Sequence, residues 1–192
     1  SGKTYIPINA NKTKKRIETI IDISKTDLII TSRKKIHSDA IILEPKNIKK
    51  IKIVKKFKIK KSNKDAYIIF TSGSTGQPKG VRISRISLDK YILWLSNYFF
   101  KDKIIRCSQH PGIGFDLSVA DIYGTICNGG KLFPLKNKLE KFFLKKFIMK
   151  NKISHWVSVP SLSDIIFDGK NNINDFKNLK KILFFGETLK KR

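Results

Sequence analysis

Hydrophobic residues recur along this chain in two rhythms, short extended runs and helical stripes, and the two largely alternate. Thr4–Asn9 reads as a strand ending near Pro7. Over Lys12–Ser24, Ile17, Ile20 and Ile21 fall at the spacing of one helix face. Asp27–Thr31 is a short apolar strand. The next stretch, 33–65, carries little pattern; inside it Ile51–Lys60 alternates apolar residues with Lys, as an edge strand would. Its like charges repel, so it reads as a surface excursion. From Ala66 the pattern sharpens: an apolar strand Ala66–Phe70, a Gly/Ser/Thr loop Thr71–Gly80, and an extended Val81–Ser84. Ser87–Phe100 predicts a helix burying Leu88, Tyr91, Ile92, Leu95 and Phe99. A strand over Ile104–Gln109 leads into a loop and helix, Phe115–Asn128, closed by Gly129 and Gly130. Leu132–Leu135 is a strand. Leu139–Met149 predicts a basic helix with Leu139, Phe143 and Phe147 on one face. His155–Val159 and Ile182–Phe185 are strands flanking a helical stretch near Leu162–Phe167. Strands alternating with helices give an α/β fold of mostly parallel sheets with flanking helices.

Composition narrows the class. The 192 residues are 40% hydrophobic, enough for a packed interior rather than disorder. No run approaches the roughly 20 apolar residues of a spanning helix. Ser1–Ala10 lacks the basic-then-apolar order of a secretory signal, so a cytoplasmic location is expected. Cys107 and Cys127, the two cysteines, suit reduced thiols better than a disulfide framework. The net charge of +26 raises nucleic acid or an anionic membrane as partners. The basic residues are mostly Lys, spread along the chain amid abundant Ile and Asn, and Arg is scarce. That pattern fits a codon-biased, solvated surface, and neither nucleic-acid binding nor membrane insertion is expected.

The chemistry concentrates in Thr71-Ser72-Gly73-Ser74-Thr75-Gly76-Gln77-Pro78-Lys79-Gly80. A triphosphate needs backbone N–H groups that approach closely, which Gly permits. It also needs hydroxyl donors, here Thr71, Ser72, Ser74 and Thr75, and a mobile cation, Lys79. Pro78 limits how the loop bends. A Walker A loop places its Lys after Gly and before Ser or Thr, and this loop does not. Gly2-Lys3-Thr4 mimics the end of such a loop, but Tyr5-Ile6-Pro7-Ile8 reads as extended where a helix would have to open. A plain flexible turn between two strands explains ten such ordered positions poorly.

This loop resembles, nearly residue for residue, the signature of the adenylate-forming (AMP-binding) ligase superfamily. Three further stretches extend the resemblance almost end to end. Gly2–Asn9 is similar to an early A-G-x-A-Y-V-P-x-D element. Phe115-Asp116-Leu117-Ser118-Val119 is similar to the F-D-x-S-V element of the amino-acid-activating branch. Leu183-Phe184-Phe185-Gly186-Glu187-Thr188-Leu189 is similar to a G-G-E-A-L or C-G-E-V-L element. The resemblance leans toward D-alanine–carrier-protein ligases or peptide-synthetase adenylation domains.

It implies that ATP, arriving with Mg²⁺, binds through Thr71, Ser72, Gly73, Ser74, Thr75, Gly76, Pro78, Lys79 and Gly80. It also implies that Asp116 meets the α-ammonium group of an amino acid. Leu117, Ala120, Val157, Leu183 and Phe185 would line the side-chain pocket, with Gly186 beside them. Phe185 stands where relatives often carry a small residue or Cys, so the pocket should be small. The flanks Ile113, Phe115, Leu117 and Val119 would make an unpaired Asp116 carboxylate costly. The other reading of the segment is a helix cap by Asp116 or Ser118, with Asp121 completing a box; the further motifs favour the ammonium contact. His110 reads as a partly buried loop histidine, and no protein-ligated metal site is implied.

The expected activity is ATP-dependent formation of aminoacyl-AMP, then transfer to the phosphopantetheine thiol of a carrier protein. The alternatives are an acyl-CoA ligase for a fatty or aromatic acid and a truncated, non-catalytic basic binding protein. The family's later elements and its small C-terminal domain, which supplies the catalytic Lys, are not found in 1–192. The chain is therefore expected to be a fragment of the large N-terminal domain: 1–65 the early elements and Lys-rich excursion, 66–192 the ATP- and substrate-binding part. No catalytic residue is assigned within it, and the fragment alone should turn over negligibly.

Overall fold

Helix α1, Lys14–Ser24, begins where Thr13 can cap it: the Thr13 hydroxyl accepts the Arg16 N–H at 3.3 Å. That places its start two residues after the expected one. Ile17, Ile20 and Ile21 are buried along one face, and the helix ends at Lys25 in the left-handed conformation. In this computed structural model the described residues are 3–9, 11–33, 36, 39–45, 65–72, 76–135, 142–162, 166–167 and 173–189. The expected edge strand at 51–60 lies outside them, as do His37, Leu139 and part of the helical stretch near 162–167. The chain divides into two compact units, Ser1–Arg85 and Ile86–Arg192.

In the first unit β1, Leu28–Ile30, pairs in parallel with β2, Ile41–Leu43. Strands β3, Asp65–Ser72, and β4, Pro78–Ser84, form an antiparallel hairpin. β3 buries Ala66, Tyr67 and Ile69, with a register irregularity between Asp65 and Tyr67. The segment expected as a strand at Thr4–Asn9 makes a single bridge, Tyr5 to Tyr67. There the Tyr5 N–H donates to the Ala66 carbonyl and the Ile68 N–H to the Tyr5 carbonyl.

The second unit is built on four parallel strands in the order β6-β5-β7-β8, namely Lys131–Pro134, Arg106–Gln109, His155–Ser158 and Lys181–Phe184. Parallel strands need coverage on both faces, and β7 is buried at all four residues. One face packs Cys107 and Val157 with Leu95, Phe99, Phe100, Ile105 and Ala120. The other packs Trp156 with Leu144, Phe147, Ile148, Ile153 and Ile166. Helix α2, Arg85–Tyr98, buries Leu88 and Leu95, and Phe99 follows it buried. Tyr91 and Ile92, expected inside, are only half-buried.

Two expectations change. The basic helix runs Leu144–Lys150 and buries Leu144, Phe147 and Ile148, while Phe143 is 61% exposed. Of the expected face Phe147 is buried as expected, whereas Phe143 precedes the helix in a non-helical conformation (φ −118°, ψ 47°), and Leu144 and Ile148 join Phe147 inside. The helix expected within 115–128 is composite: an α turn Leu117–Val119, a π turn Ala120–Gly124 and an α turn Thr125–Cys127.

Candidate functional site

Of the residues expected to hold ATP, Thr71 and Ser72 end β3, Pro78, Lys79 and Gly80 open β4, and Gly76 lies just before β4. Ladder pairing holds Thr71 opposite Lys79, Ser72 opposite Pro78 and Phe70 opposite Gly80. Thr71, Ser72, Pro78, Lys79 and Gly80 are therefore strand residues, and the open turn is shorter than the expected ten-residue loop. Gly73, Ser74 and Thr75 lie outside the described residues. Gly76 has φ +77°, a conformation that L side chains rarely adopt, which explains glycine there. Thr71, Ser72, Lys79 and Gly80 are exposed, and Pro78 is buried. Hydroxyls, backbone and an ammonium thus reach solvent from a rigid two-stranded base, a donor set suited to a triphosphate. Sequence reasoning missed Arg16: its guanidinium donates to the Thr71 carbonyl at 2.9 Å and ties α1 to the loop's base.

The second cluster lies at the carboxyl ends of the parallel strands. After β5 the chain passes to β6 on one side, then returns to β7 on the other. Such a reversal opens a crevice beyond the strand ends, the usual ligand position in open α/β sheets. The 110–116 segment leaves β5 at this point. Leu117, Ala120, Val157, Leu183 and Phe185 come together there in one apolar cluster, joined by Tyr91 of α2. Ala120 and Val157 are fully buried; Leu117, Leu183 and Phe185 are half-buried. Gly186 has φ +81°, so only glycine turns the chain comfortably past β8. The next residue, Glu187, accepts the Ser161 N–H at 3.1 Å and its hydroxyl at 3.2 Å, joining the ends of β7 and β8.

Asp116 stands at the start of the first α turn, and two arguments from sequence fail here. Its side chain makes no capping hydrogen bond. It is also exposed, as are Ile113 and Phe115, so its apolar neighbours do not desolvate it. Nor do Ser118 and Asp121 form a capping box. The Ser118 hydroxyl donates to the Phe115 carbonyl at 2.7 Å, with the Ile113 carbonyl at 3.4 Å, and fastens the segment from below. His110 is half-buried, stacks on Trp156 with ring centroids 4.8 Å apart, and shares a hydrogen bond of 2.7 Å between Nε2 and the Val157 carbonyl.

Asp121 is the residue that sequence reading placed least well. It is 0% exposed, and burial holds its carboxyl well above the usual carboxylate range. The backbone N–H of His110 opposes that shift, but its geometry falls short of a formed hydrogen bond, and neither carboxyl oxygen has another partner among the described residues. Leaving a buried polar group so costs about 1–3 kcal/mol. Burial likewise pushes the Cys107 thiol up, Asp121 adds to the rise, and the Thr125 hydroxyl opposes it.

Comparison with solved structures defines the class. A nonribosomal peptide synthetase, FmoA3, bound to α-methyl-L-serine-AMP, matches 98% of this chain and 22% of its own at TM-score 0.85 and 18% identity. The adenylation domain AlmE of Vibrio cholerae, solved with glycyl-adenosine-5'-phosphate, matches 88% of this chain and 38% of its own at TM-score 0.73 and 25% identity. The fold is that of the large N-terminal domain of adenylate-forming enzymes. The chain belongs to the AMP-binding enzyme family, whose pattern it matches over residues 1–192. A D-alanine–D-alanyl carrier protein ligase of Lacticaseibacillus casei is 32% identical across 98% of the chain, which spans 39% of that relative's length.

Proposed function

We propose that this chain is the ATP- and substrate-binding part of a cytoplasmic ligase that activates a small amino acid as aminoacyl-AMP. ATP, entering as its Mg²⁺ complex, sets its β- and γ-phosphates against Thr71–Gly80, where Lys79 offsets their charge. The substrate ammonium pairs with Asp116. The substrate carboxylate attacks the α-phosphorus, the bond to the bridging oxygen breaks, and pyrophosphate leaves. The acyl group then passes to the phosphopantetheine thiol of a carrier protein. The supporting observation is Asp116: an exposed carboxylate beyond β5, free of any capping role, next in sequence to Leu117 of the apolar cluster. Phe185 in that cluster favours alanine or glycine. The D-alanine ligase relative and the glycyl adenylate held by AlmE point the same way.

The test is amino-acid-dependent ATP–pyrophosphate exchange by the full-length protein, over both alanine enantiomers, glycine and several fatty acids. Exchange with one small amino acid is expected. Asp116→Ala should lower its kcat/KM by about 30-fold or more, as losing a charge partner worth about 2 kcal/mol implies. Exchange only with fatty or aromatic acids would replace this reading with an acyl-CoA ligase, and no exchange at all with a non-catalytic basic binding protein.

A further inference from the structure

The chain is tied down twice where it leaves β8. The Phe185 N–H donates to the Ser158 carbonyl at 3.0 Å, which carries the β7–β8 pairing one residue past the strand end. Two residues later both oxygens of the Glu187 carboxylate accept from a single residue, the Ser161 N–H at 3.1 Å and the Ser161 hydroxyl at 3.2 Å. Ser161 lies in the 3-10 turn Pro160–Leu162 that follows β7. Between the two ties Gly186 takes φ +81°, and a Cβ on it would lie 3.9 Å from Cγ1 of Val159, so residues 185–187 run alongside 158–161. Ser161 and Glu187 are both exposed, so water could serve each of these polar groups without a burial cost. What water could not do is hold two strand ends in one geometry.

The direction of a side chain follows from the two peptide units that flank its Cα. For Phe185 the preceding unit is set by pairing to Ser158, while the following one leads into Gly186, the residue type with the widest choice of backbone angles. We propose that Glu187 is a positioning residue for the side-chain pocket: by gripping Ser161 at two points it fixes the turn past β8, and with it where the Phe185 ring stands beside Ala120 and Val157. The grip needs two paired contacts rather than a charge. A Gln amide supplies both, its oxygen accepting the N–H and its NH2 donating to the hydroxyl oxygen. The consequence for substrate size rests on the amino-acid reading above; the grip itself does not.

The test measures pyrophosphate exchange by the full-length protein with its preferred small amino acid and with valine. Glu187→Ala is expected to lower the ratio of the two kcat/KM values about fivefold, because the ring can then give way to the larger side chain. Glu187→Gln should stay within about twofold of the parent. In a Phe185→Ala background Glu187→Ala should lower the ratio no further, since the ring through which it acts is gone. An unchanged ratio in Glu187→Ala overturns the proposal. So does an equal loss in the Gln and Ala variants, and so does a full fivefold loss in the Phe185→Ala background. Hydrogen exchange at the Ser161 amide of the unliganded protein gives a readout independent of activity. It should quicken about fivefold in Glu187→Ala and not in Glu187→Gln, and an unchanged rate in both overturns the grip. If no amino acid supports exchange of pyrophosphate even in the parent, the functional reading fails, and the Ser161 amide rate alone decides the grip. Glu187 is exposed, so both substitutions should leave the melting midpoint near that of the parent.

Discussion

On the proposed amino-acid reading, Phe185, half-buried against the cluster that contains Ala120 and Val157, takes up volume that a side chain on the substrate would need. Phe185→Ala should therefore broaden activation toward larger amino acids such as valine or leucine, with pyrophosphate exchange over a side-chain series as the measurement. A profile still confined to the smallest substrates would remove Phe185 as the size filter. The spread of residues in this cluster explains why it was legible from motif resemblance and not from pattern. Leu117 and Ala120 follow β5, Val157 lies in β7, and Leu183 and Phe185 lie in and after β8, so no local period relates them. Asp116 and Asp121 mark the limit of residue-level reading. Both are carboxylates among apolar neighbours in sequence, yet one is exposed and the other fully buried.

At the scale of elements, periodicity located nearly every strand and helix of the second unit, because burial on a sheet face imposes it. It failed where geometry departs from a single period. The 117–127 run changes from α to π and back, so a constant step misassigns which side chains turn inward. Gly124 closes this run against α2's end: a Cβ there would lie 2.2 Å from Cε2 of Phe100, whose ring is itself 2% exposed. Gly124→Ala should destabilise the protein by about 1–3 kcal/mol through overpacking. Thermal melting would register this as a lower midpoint, and an unchanged or higher midpoint would mean that Phe100 yields freely. The hairpin that carries the phosphate loop has a different lesson. Sequence marked two extended runs around a Gly/Ser/Thr turn, but cross-strand pairing assigned Thr71, Ser72 and Pro78–Gly80 to the ladder.

Across the molecule, the +26 charge shapes the surface, while acid–base behaviour is set by a few buried groups in the unit 86–192. His155 is fully buried; its Nε2 lies 3.1 Å from both the Phe99 carbonyl and Asp102, so that nitrogen carries the proton. Its Nδ1 then accepts from the Ser154 hydroxyl at 2.8 Å. Burial lowers the His155 pKa below 6.5, although Asp102 opposes the shift. The neutral ring's stability is thus fully present above that value and is lost as pH falls through the lower folded pKa. Asp121 has the opposite sign: its stability is fully present below 3.8 and is lost as pH rises toward its raised folded pKa. Where the two windows overlap the contributions offset each other. Above 6.5 only that of Asp121 still changes, so unfolding midpoints in urea should fall as pH rises from there toward its folded pKa. Asp121→Asn should gain more over the parent at about pH 8 than at about pH 5, where less of the acid is ionised. An equal gain at both would show that the folded carboxyl is already ionised at about pH 5.

Sequence by itself determined the order of strands and helices, the α/β class, the Gly/Ser/Thr/Lys composition of the 71–80 loop and the family resemblance. Each is written in neighbouring residues: a hydrophobic period, or a run of glycines, hydroxyls and one lysine whose spacing is itself the signal. Only the tertiary structure decided that β3 and β4 pair antiparallel, that Arg16 braces Thr71, and that residues from three strand ends share one apolar cluster. It alone separated the exposed Asp116 from the buried Asp121. The physical reason is that solvation and partner choice depend on which distant segments close over a side chain, and a carboxylate's sequence neighbours do not state that.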